Sequence, residues 1–374
     1  MSEELFTASA SNIIKTANYS RLNIPFFQRK YVWSKENWEE LFNTFLEDKT
    51  PFIGSIIVKR LFGTFNEVDV IDGQQRLTTL SILIKALYDS LDSKNKELAY
   101  NNILKIFYFS KSILSQEHSL RLNHSLLDKE DFEKIMSFDY KPEGEDIENC
   151  YRYFLERIST LKEKNLNAFI DMFERLTDEN FSYLVLIELS SKADEQTIFD
   201  TLNTTGVMLT ASDTIKNVIF KTLGKQYESG NFSNPQEKLI NFYEKTWGKT
   251  FEIESNKDYW SCTLVSGRFN RTYLEFFLYC YGVVSGIYTA YENKINDLAN
   301  VYKAYLKKLS TAEELEEFLL KMTGYASTFM SGFRYGANNR YYAYKRDDVL
   351  DRLLNFLYIT DTTSIYPYVI KLLH

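Results

Sequence analysis

The sequence is poor in the residues that build metal centres and covalent cross-links. Only three cysteines and three histidines occur in 374 residues. The cysteines, Cys150, Cys262 and Cys280, are far apart and odd in number, so they form neither a disulfide framework nor a metal knuckle. A reducing compartment, the cytoplasm, is therefore the expected location.

Basic residues are also in short supply. Lys and Arg number 44 against 51 Asp and Glu, which gives a formal net charge of -7. A surface that grips nucleic acid along its whole length is excluded, because such surfaces are strongly basic. Any nucleic-acid contact must therefore be local.

The sequence lacks a long apolar run and a recognisable secretion signal. The first 15 residues contain no basic stretch followed by an apolar one. The longest charge-free apolar stretch, 276–290, is shorter than the roughly 20 residues that span a bilayer. We expect this stretch to lie in the core and expect no membrane attachment.

Helix-breaking residues are scarce, whereas aromatic residues are abundant. Five prolines and 14 glycines stand beside 28 phenylalanines and 27 tyrosines. Few breakers leave long periodic segments uninterrupted. The composition therefore favours long helices with aromatic cores.

The N-terminal third mixes predicted strands with a predicted helix. Pro25 keeps the residue before it out of the helical region, so we predict an extended stretch over 22–31. Apolar residues recur at helical spacing over 35–48. Two short strand patterns, 52–60 and 67–71, are joined by a polar loop and predict a β-hairpin.

The second of these strands runs directly into Asp72-Gly73, and an apolar helical stripe begins after that turn. This order puts Gln74, Gln75 and Arg76 in the first turn of a helix. Free amides at a helix N-terminus form an anion site, and an arginine can fork onto a phosphate. Asp72 is a candidate magnesium ligand, and either glutamine is a candidate to orient a water. The alternative is an ordinary Asp-Gly turn with a solvated arginine.

A second polar stretch follows two amphipathic helices, predicted over 146–161 and 167–176, and a buried strand, predicted over 181–189. It is a loop at 203–206 that leads into another helix. The side chains there that are able to face a polar ligand are those of Asn203, Asp213, Lys216 and Asn217. The alternative is a helix C-cap followed by an ordinary N-cap.

The remainder of the chain, from residue 234 onward, shows only helical patterns. It ends inside an apolar helical pattern without a C-cap. Helices normally end at a capping residue. We therefore expect a truncated chain; the alternative is a natural end, since many chains also stop inside a helix.

Three polar blocks together resemble a known family. They are IPFFQRKYVW (24–33), VDVIDGQQRLTTL (68–80) and IFDTLNTTGVMLTASDTIKN (198–217). In this order they resemble the N-terminal domain of GmrSD-type restriction proteins, a bacterial family distantly related to ParB. The resemblance covers roughly residues 5–225, and three ordered motifs are far more specific than a single Asp-Gly turn.

The resemblance implies an α+β fold in two parts. A ParB-like nucleotide-binding domain with a small mixed sheet would occupy 1–225, with a helical insertion at about 92–180. An all-helical domain would occupy 226–374. A C-terminal HNH-type nuclease domain would follow it or be supplied by a partner nuclease, since the sequence shows no HNH arrangement of its own.

The implied function is an NTP-binding and hydrolysing regulatory domain of a bacterial antiphage, modification-dependent DNA restriction system. Mg²⁺ and GTP or ATP would be the cofactors. Turnover of the nucleotide would control a DNA endonuclease that acts on modified phage DNA. Whether the chain forms a homo-oligomer is left open.

Residue by residue, the resemblance assigns catalytic roles to Asp72, Gln74, Gln75 and Arg76, with Asp72 as the metal ligand. The nucleotide-binding residues that it implies are Gln28, Arg29, Gly73, Arg76, Thr78, Asn203, Gly206, Asp213, Lys216 and Asn217. Magnesium and Arg76 would neutralise the β and γ phosphates, amides of the helix would cradle them, and a glutamine-held water would attack.

Two other functions are open on the sequence. The surface with Gln28, Arg29 and Arg76 would suit a non-hydrolysing module that binds DNA or senses its modification. A scaffold with a vestigial pocket is the other alternative, since aromatic helices suit partner surfaces. Residues 1–90 hold 10 Lys or Arg against 11 Asp or Glu, which favours a nucleotide over bulk DNA.

Overall fold

The chain divides into two compact units, Met1–Met208 and Leu209–His374. The computed structural model describes residues 6–47, 49–61, 66–110, 118–124, 128–138, 147–190, 210–230, 232–266, 269–289, 297–333 and 349–374. The division lies before the helix Ala211–Ser229, whereas we expected it after residue 225. The reason is that this helix packs against Pro235–Tyr243 and Leu298–Leu306 of the second unit.

The first unit alternates short strands with helices. Its strands are β1 (Phe6–Ser11), β2 (Arg21–Asn23), β3 (Ser55–Arg60), β4 (Glu67–Asp72), β5 (Tyr108–Ser110), β6 (His118–Leu120), β7 (Leu122–Asn123) and β8 (Leu184–Leu189). Its α-helices are α1 (Lys35–Glu47), α2 (Gln74–Asp89), α3 (Ser93–Phe107), α4 (Lys129–Met136), α5 (Ile147–Lys164) and α6 (Leu166–Thr177), with a 3₁₀ turn at Ile14–Asn18.

Most of these strands form one mixed sheet. Within the described residues its order is β1-β8-β3-β4-β2-β7. β1 is antiparallel to β8 and β3 to β4, whereas β3 pairs with β8, and β2 with both β4 and β7, in parallel. A mixed sheet combined with this helical content confirms the predicted α+β fold class.

Helix α2 lies at the centre of the core beside the sheet. It packs against α3, α4, α5, α6 and β3. Val68 and Val70 of β4 are fully buried, because alternate residues of a strand point to one face. From Gly73 to Tyr88 every residue is buried except Arg76. A helix that is buried on all sides is a core helix, and Arg76 in the first turn and Asp89 at the end of the helix are its partly exposed residues.

The predicted hairpin and the helix after it are confirmed, because β3 and β4 are antiparallel neighbours and α2 starts at Gln74. The extended stretch over 22–31 is confirmed only at its start, where β2 ends at Asn23. The N–H of Gln28 donates to the carbonyl of Pro25 and closes a turn instead. Proline favours this outcome because it presets the backbone for a turn.

The expected helical insertion, 92–180, is not wholly helical. It contains α3 to α6, as the patterns over 146–161 and 167–176 predict, but also a two-stranded sheet of β5 and β6. Its strand β7 extends the main sheet beside β2. The insertion therefore contributes to the sheet as well as covering it.

The second unit consists mainly of helices. They are α7 (Ala211–Ser229), α8 (Pro235–Tyr243), α9 (Glu254–Ser261), α10 (Tyr273–Val284), α11 (Leu298–Leu306), α12 (Ala312–Gly332), α13 (Val349–Ile359) and α14 (Tyr366–Leu373), with a π-helical segment at Glu244–Glu252 and a 3₁₀ turn at Thr363–Ile365. No helix in the described part of the chain is long and apolar enough to cross a bilayer.

One short strand pair interrupts the helices of this unit. β9 (Thr263–Ser266) and β10 (Phe269–Thr272) form an antiparallel pair between α9 and α10. Their sequences contain β-branched residues at Thr263, Val265 and Thr272, which favour strands. The pair is too short to produce a periodic pattern of its own, so the longer helical patterns on either side conceal it.

Candidate phosphate-binding site

The candidate site begins where β4 ends and α2 starts. Gly73 is the N-cap of α2 and has φ 90°, in the left-handed region. A Cβ atom at this position would lie 3.0 Å from both the Ser55 carbonyl oxygen and Ile56 Cγ1. Glycine is therefore required here both by the backbone angle and by the close approach of β3.

The start of α2 carries no side-chain cap. Gly73 has no side chain to offer, and no acidic residue lies in the first turn. The first amides of a helix have no intrahelical acceptors, and they sit at the positive end of the helix dipole. This end of α2 thus has the backbone geometry that binds an anion.

Arg76 lies in the first turn of α2, and protein atoms hold its side chain. The guanidinium donates from Nη1 to the Ser55 carbonyl at 3.0 Å. The same nitrogen lies 3.7 Å from Oδ2 of Asp72, and the Arg76 side chain is 12% exposed. A phosphate at this site would therefore either share Arg76 with Asp72 or take the place of Asp72 as its partner.

Asp72 combines burial with nearby positive charge. Burial raises the pKa of the Asp72 carboxyl, while Arg76, the N–H of Gly73 and Arg29 act in the opposite direction. These groups favour the carboxylate, which is the form that binds a cation. The described ranges contain no group of three or more His, Cys, Asp or Glu side chains that could hold a metal ion.

A single carboxylate still fits magnesium bound together with a nucleotide. Mg²⁺ usually keeps several waters and is held by one or two carboxylates plus substrate phosphates, rather than by an all-protein cage. Asp72 at the turn matches that donor set. A metal that binds without nucleotide does not fit the residues present.

The two glutamines of the first turn connect α2 to the segment 28–32. Oε1 of Gln75 accepts from the N–H of Val32 at 2.9 Å, and its Nε2 donates to the Lys30 carbonyl at 3.3 Å. Nε2 of Gln74 donates to the Arg29 carbonyl at 3.3 Å. Both glutamines are buried. These contacts hold the first and second polar blocks together.

A further hydrogen bond between the two blocks comes from Gln28. Its Nε2 donates to the Val70 carbonyl of β4 at 2.7 Å, and the residue is buried. Arg29 lies near enough to Asp72 to lower the pKa of its carboxyl. The structure thus brings Gln28 and Arg29 next to the Asp72-Gly73 turn.

Thr78 points away from this turn and into the core. It is 1% exposed, and its hydroxyl is 2.8 Å from Nε2 of His124. Burial lowers the pKa of His124 to about 3, so its ring is neutral. Oδ2 of Asp128 lies 3.9 Å from His124 Nδ1 and accepts from the N–H of Tyr31 at 2.8 Å. A nucleotide contact of Thr78 stays a prediction.

The third block is only partly described. Asn203 and Gly206 lie outside the described residues. Asp213, Lys216 and Asn217 lie on α7 of the second unit. Asp213 forms a capping box with Thr210, and Nζ of the buried Lys216 is 2.8 Å from Glu252 Oε1. Their nucleotide-binding roles stay predictions, and the contacts of Asp213 and Lys216 are those of structural residues.

Comparison with known families agrees with this arrangement of motifs. The family model of the GmrSD restriction endonuclease, N-terminal domain, matches residues 4–220. The chain belongs to this family. The matched range contains every residue of the predicted site.

A curated relative of this GmrSD-family chain comes from an archaeon. It is Uncharacterized protein MJ0686 of Methanocaldococcus jannaschii, which is 23% identical over 247 residues. The alignment covers 58% of this chain and 42% of the relative. The GmrSD-family chain thus matches less than half the length of that relative.

The described geometry of the GmrSD motifs predicts a structural role for Gln75. Replacing it by leucine removes two hydrogen bonds to the 30–32 backbone and leaves a buried apolar side chain beside them. We expect the free energy of unfolding to fall by about 1–2 kcal/mol in urea denaturation.

Gln74→Leu is the matched control for Gln75→Leu. It lies in the same turn, is similarly buried and loses a single 3.3 Å hydrogen bond to Arg29. We expect its effect on unfolding to be the smaller of the two. An equal or larger loss for Gln74→Leu would contradict the structural role of Gln75.

Proposed function

We propose that this chain is the NTP-binding and hydrolysing regulatory domain of a bacterial, modification-dependent DNA restriction system that acts against phage. Membership of the GmrSD N-terminal domain family supports the system. The observation that carries the nucleotide site is the accessibility of Arg76. It is the one residue between Gly73 and Tyr88 that is not buried. This residue lies beside an uncapped helix start.

The polyphosphate tail is the part of the nucleotide that this site recognises. The amides that open α2 donate to phosphate oxygens, and the Arg76 guanidinium adds a full positive charge in the same turn. Recognition through backbone amides requires the backbone to come close to the ligand, which Gly73 allows. The base of the nucleotide contributes nothing to this part of the site, so GTP and ATP are both candidates.

Asp72 is the residue that would hold magnesium. The metal, when bound, neutralises charge on the β and γ phosphates. In the absence of nucleotide, Asp72 and Arg76 neutralise each other across 3.7 Å. A phosphate placed against Arg76 neutralises the guanidinium in place of Asp72 and leaves the Asp72 carboxylate for the cation, so the two residues separate their roles when the nucleotide binds.

The partners in this proposal are DNA and a nuclease. The cutting activity belongs to an HNH-type nuclease domain or to a separate partner nuclease. The nucleotide controls that nuclease, and this chain supplies the control.

The test of this function combines nucleotide binding with phosphate release. We expect GTP or ATP with Mg²⁺ to raise the melting temperature of the chain, because ligand at 100 times the Kd adds about 2.7 kcal/mol to the free energy of unfolding. We also expect magnesium-dependent release of phosphate. In Asp72→Asn the triphosphate still binds, but EDTA no longer weakens the binding. Failure of both nucleotides to bind would exclude the proposal.

A second function is favoured by the glutamine contacts. Both polar atoms of Gln75 bond the backbone of the 28–32 segment, as does Nε2 of Gln74, so these three atoms do not orient an attacking water. This observation favours a non-hydrolysing module that senses modified DNA. It predicts salt-sensitive binding of a modified duplex without phosphate release.

A further inference from the structure

The backbone of Gly54, directly before β3, lies against the guanidinium of Arg76. Gly54 has φ +102°, and a Cβ atom there would lie 2.9 Å from Arg76 Nε, 3.1 Å from Cζ and 3.3 Å from Nη2. The distances from this Cβ position to the three connected guanidinium atoms differ by only a few tenths of an ångström. The flat face of the guanidinium, rather than one end of it, therefore faces Gly54.

The next residue fixes the guanidinium in a second direction. The carbonyl of Ser55 accepts a hydrogen bond from Arg76 Nη1 at 3.0 Å. A hydrogen bond in the plane of the group and a close contact against its face together define its orientation. Two consecutive residues of one loop thus determine where the remaining N–H groups of Arg76 point.

The Gly54 backbone is itself held in place by β8 and by Tyr183, the residue directly before it. The N–H of Ile53 donates to the Tyr183 carbonyl at 2.9 Å, and the Gly54 carbonyl accepts from the N–H of Val185 at 3.0 Å. These bonds lie on both sides of the Gly54 α-carbon. A side chain added at Gly54 would therefore push the guanidinium aside, because the long arginine side chain moves more easily than a backbone bonded into a sheet.

We propose that Gly54 is a positioning residue of the phosphate site, which it serves by leaving room for the flat face of Arg76. The assignment rests on the proposed function. It adds a residue that lies outside all three polar blocks of the sequence. Two parallel N–H···O bonds to one phosphate require the guanidinium to keep its orientation. A displaced guanidinium attracts the phosphate as a point charge only.

The experiment measures binding of inorganic triphosphate with Mg²⁺ by calorimetry. The variants are Gly54→Ala, Arg76→Lys and the double variant. We expect Gly54→Ala to weaken binding by about tenfold and Arg76→Lys by a similar factor, since lysine lacks the planar fork. We expect the double variant to bind no more weakly than Arg76→Lys alone, because Gly54 acts through the guanidinium.

A matched control separates backbone strain from the loss of positioning. Gly286 has φ +69°, and an added Cβ there meets nothing within 4 Å. Gly286→Ala therefore strains the backbone without displacing a side chain, and we expect it to leave triphosphate binding unchanged. Gly54→Asn carries the same Cβ but accepts positive φ more readily, so it replaces the alanine variant if that variant does not fold.

The outcomes distinguish the two proposals. Wild-type affinity in a folded Gly54 variant overturns the positioning role alone. The positioning role is also overturned if Gly54→Ala weakens binding by an equal factor in the wild-type and Arg76→Lys backgrounds. A residue that only supports the fold would behave in this way. A wild-type chain that binds no triphosphate overturns the proposed function and the role of Gly54 with it.

Discussion

Replacing Arg76 by alanine is expected to weaken binding of a nucleoside triphosphate by about 100-fold, because two charge-assisted hydrogen bonds contribute about 3 kcal/mol. Arg76 is also the residue of α2 that is not buried between Gly73 and Tyr88. No other side chain of this turn brings a positive charge to the ligand. Calorimetry with GTP and with ATP measures the effect.

Two variants make the Arg76 measurement specific. Arg76→Lys keeps the charge but not the planar fork, so we expect an intermediate loss of affinity. Arg60→Ala is the control. Arg60 lies on β3, and its side chain is 50% exposed and paired with Glu188 at 2.6 Å. We expect Arg60→Ala to bind nucleotide normally. If Arg76→Ala bound nucleotide as tightly as the wild type, the start of α2 would not be the phosphate site.

Arg76→Ala also affects the unliganded protein, so its stability has to be measured alongside affinity. Without Arg76, the Asp72 carboxyl loses a charge that lowers its pKa, and burial raises that pKa further. A group with a raised pKa in the folded state favours the folded state more as the pH falls. We therefore expect any destabilisation of Arg76→Ala to be smaller at acidic pH than at neutral pH.

The local part of the site could be predicted from the sequence. A β-rich run that ends at Asp72-Gly73 and is followed by a helical stripe predicts strand, turn and helix. In the structure β4 ends at Asp72 and α2 begins at Gln74. Such patterns are read from neighbouring residues. The hairpin of β3 and β4 is predictable for the same reason, since its strands are adjacent in the sequence.

The long-range part of the site could not be predicted. Gln75 looks like a good helix former, and only the folded structure shows that it bonds Val32, 43 positions away. Thr78 resembles a polar residue near a phosphate, whereas in the fold its hydroxyl contacts His124, 46 positions away. Gly54 carries no motif at all. Such contacts depend on how separate strands meet, which local periodicity does not encode.

Gly73→Ala is expected to lower the free energy of unfolding by about 3 kcal/mol. An alanine at φ 90° costs about 1–2 kcal/mol in backbone strain. Its Cβ would also lie 3.0 Å from the Ser55 carbonyl and 3.1 Å from the Ile56 α-carbon, and overpacking of this kind costs about 1–3 kcal/mol. Because β3 is bonded to both β4 and β8, its backbone cannot withdraw without breaking the sheet.

The comparison that separates strain from overpacking uses Gly73→Asn and Gly286→Ala in denaturant unfolding. Asparagine accepts the left-handed region more readily but keeps the Cβ, so Gly73→Asn should remain destabilised by the contact with β3. Gly286→Ala carries the strain without a contact and should lose only about 1 kcal/mol. If Gly73→Ala were no less stable than Gly286→Ala, β3 would not lie against the turn, and the close backbone approach on which the anion site depends would be absent.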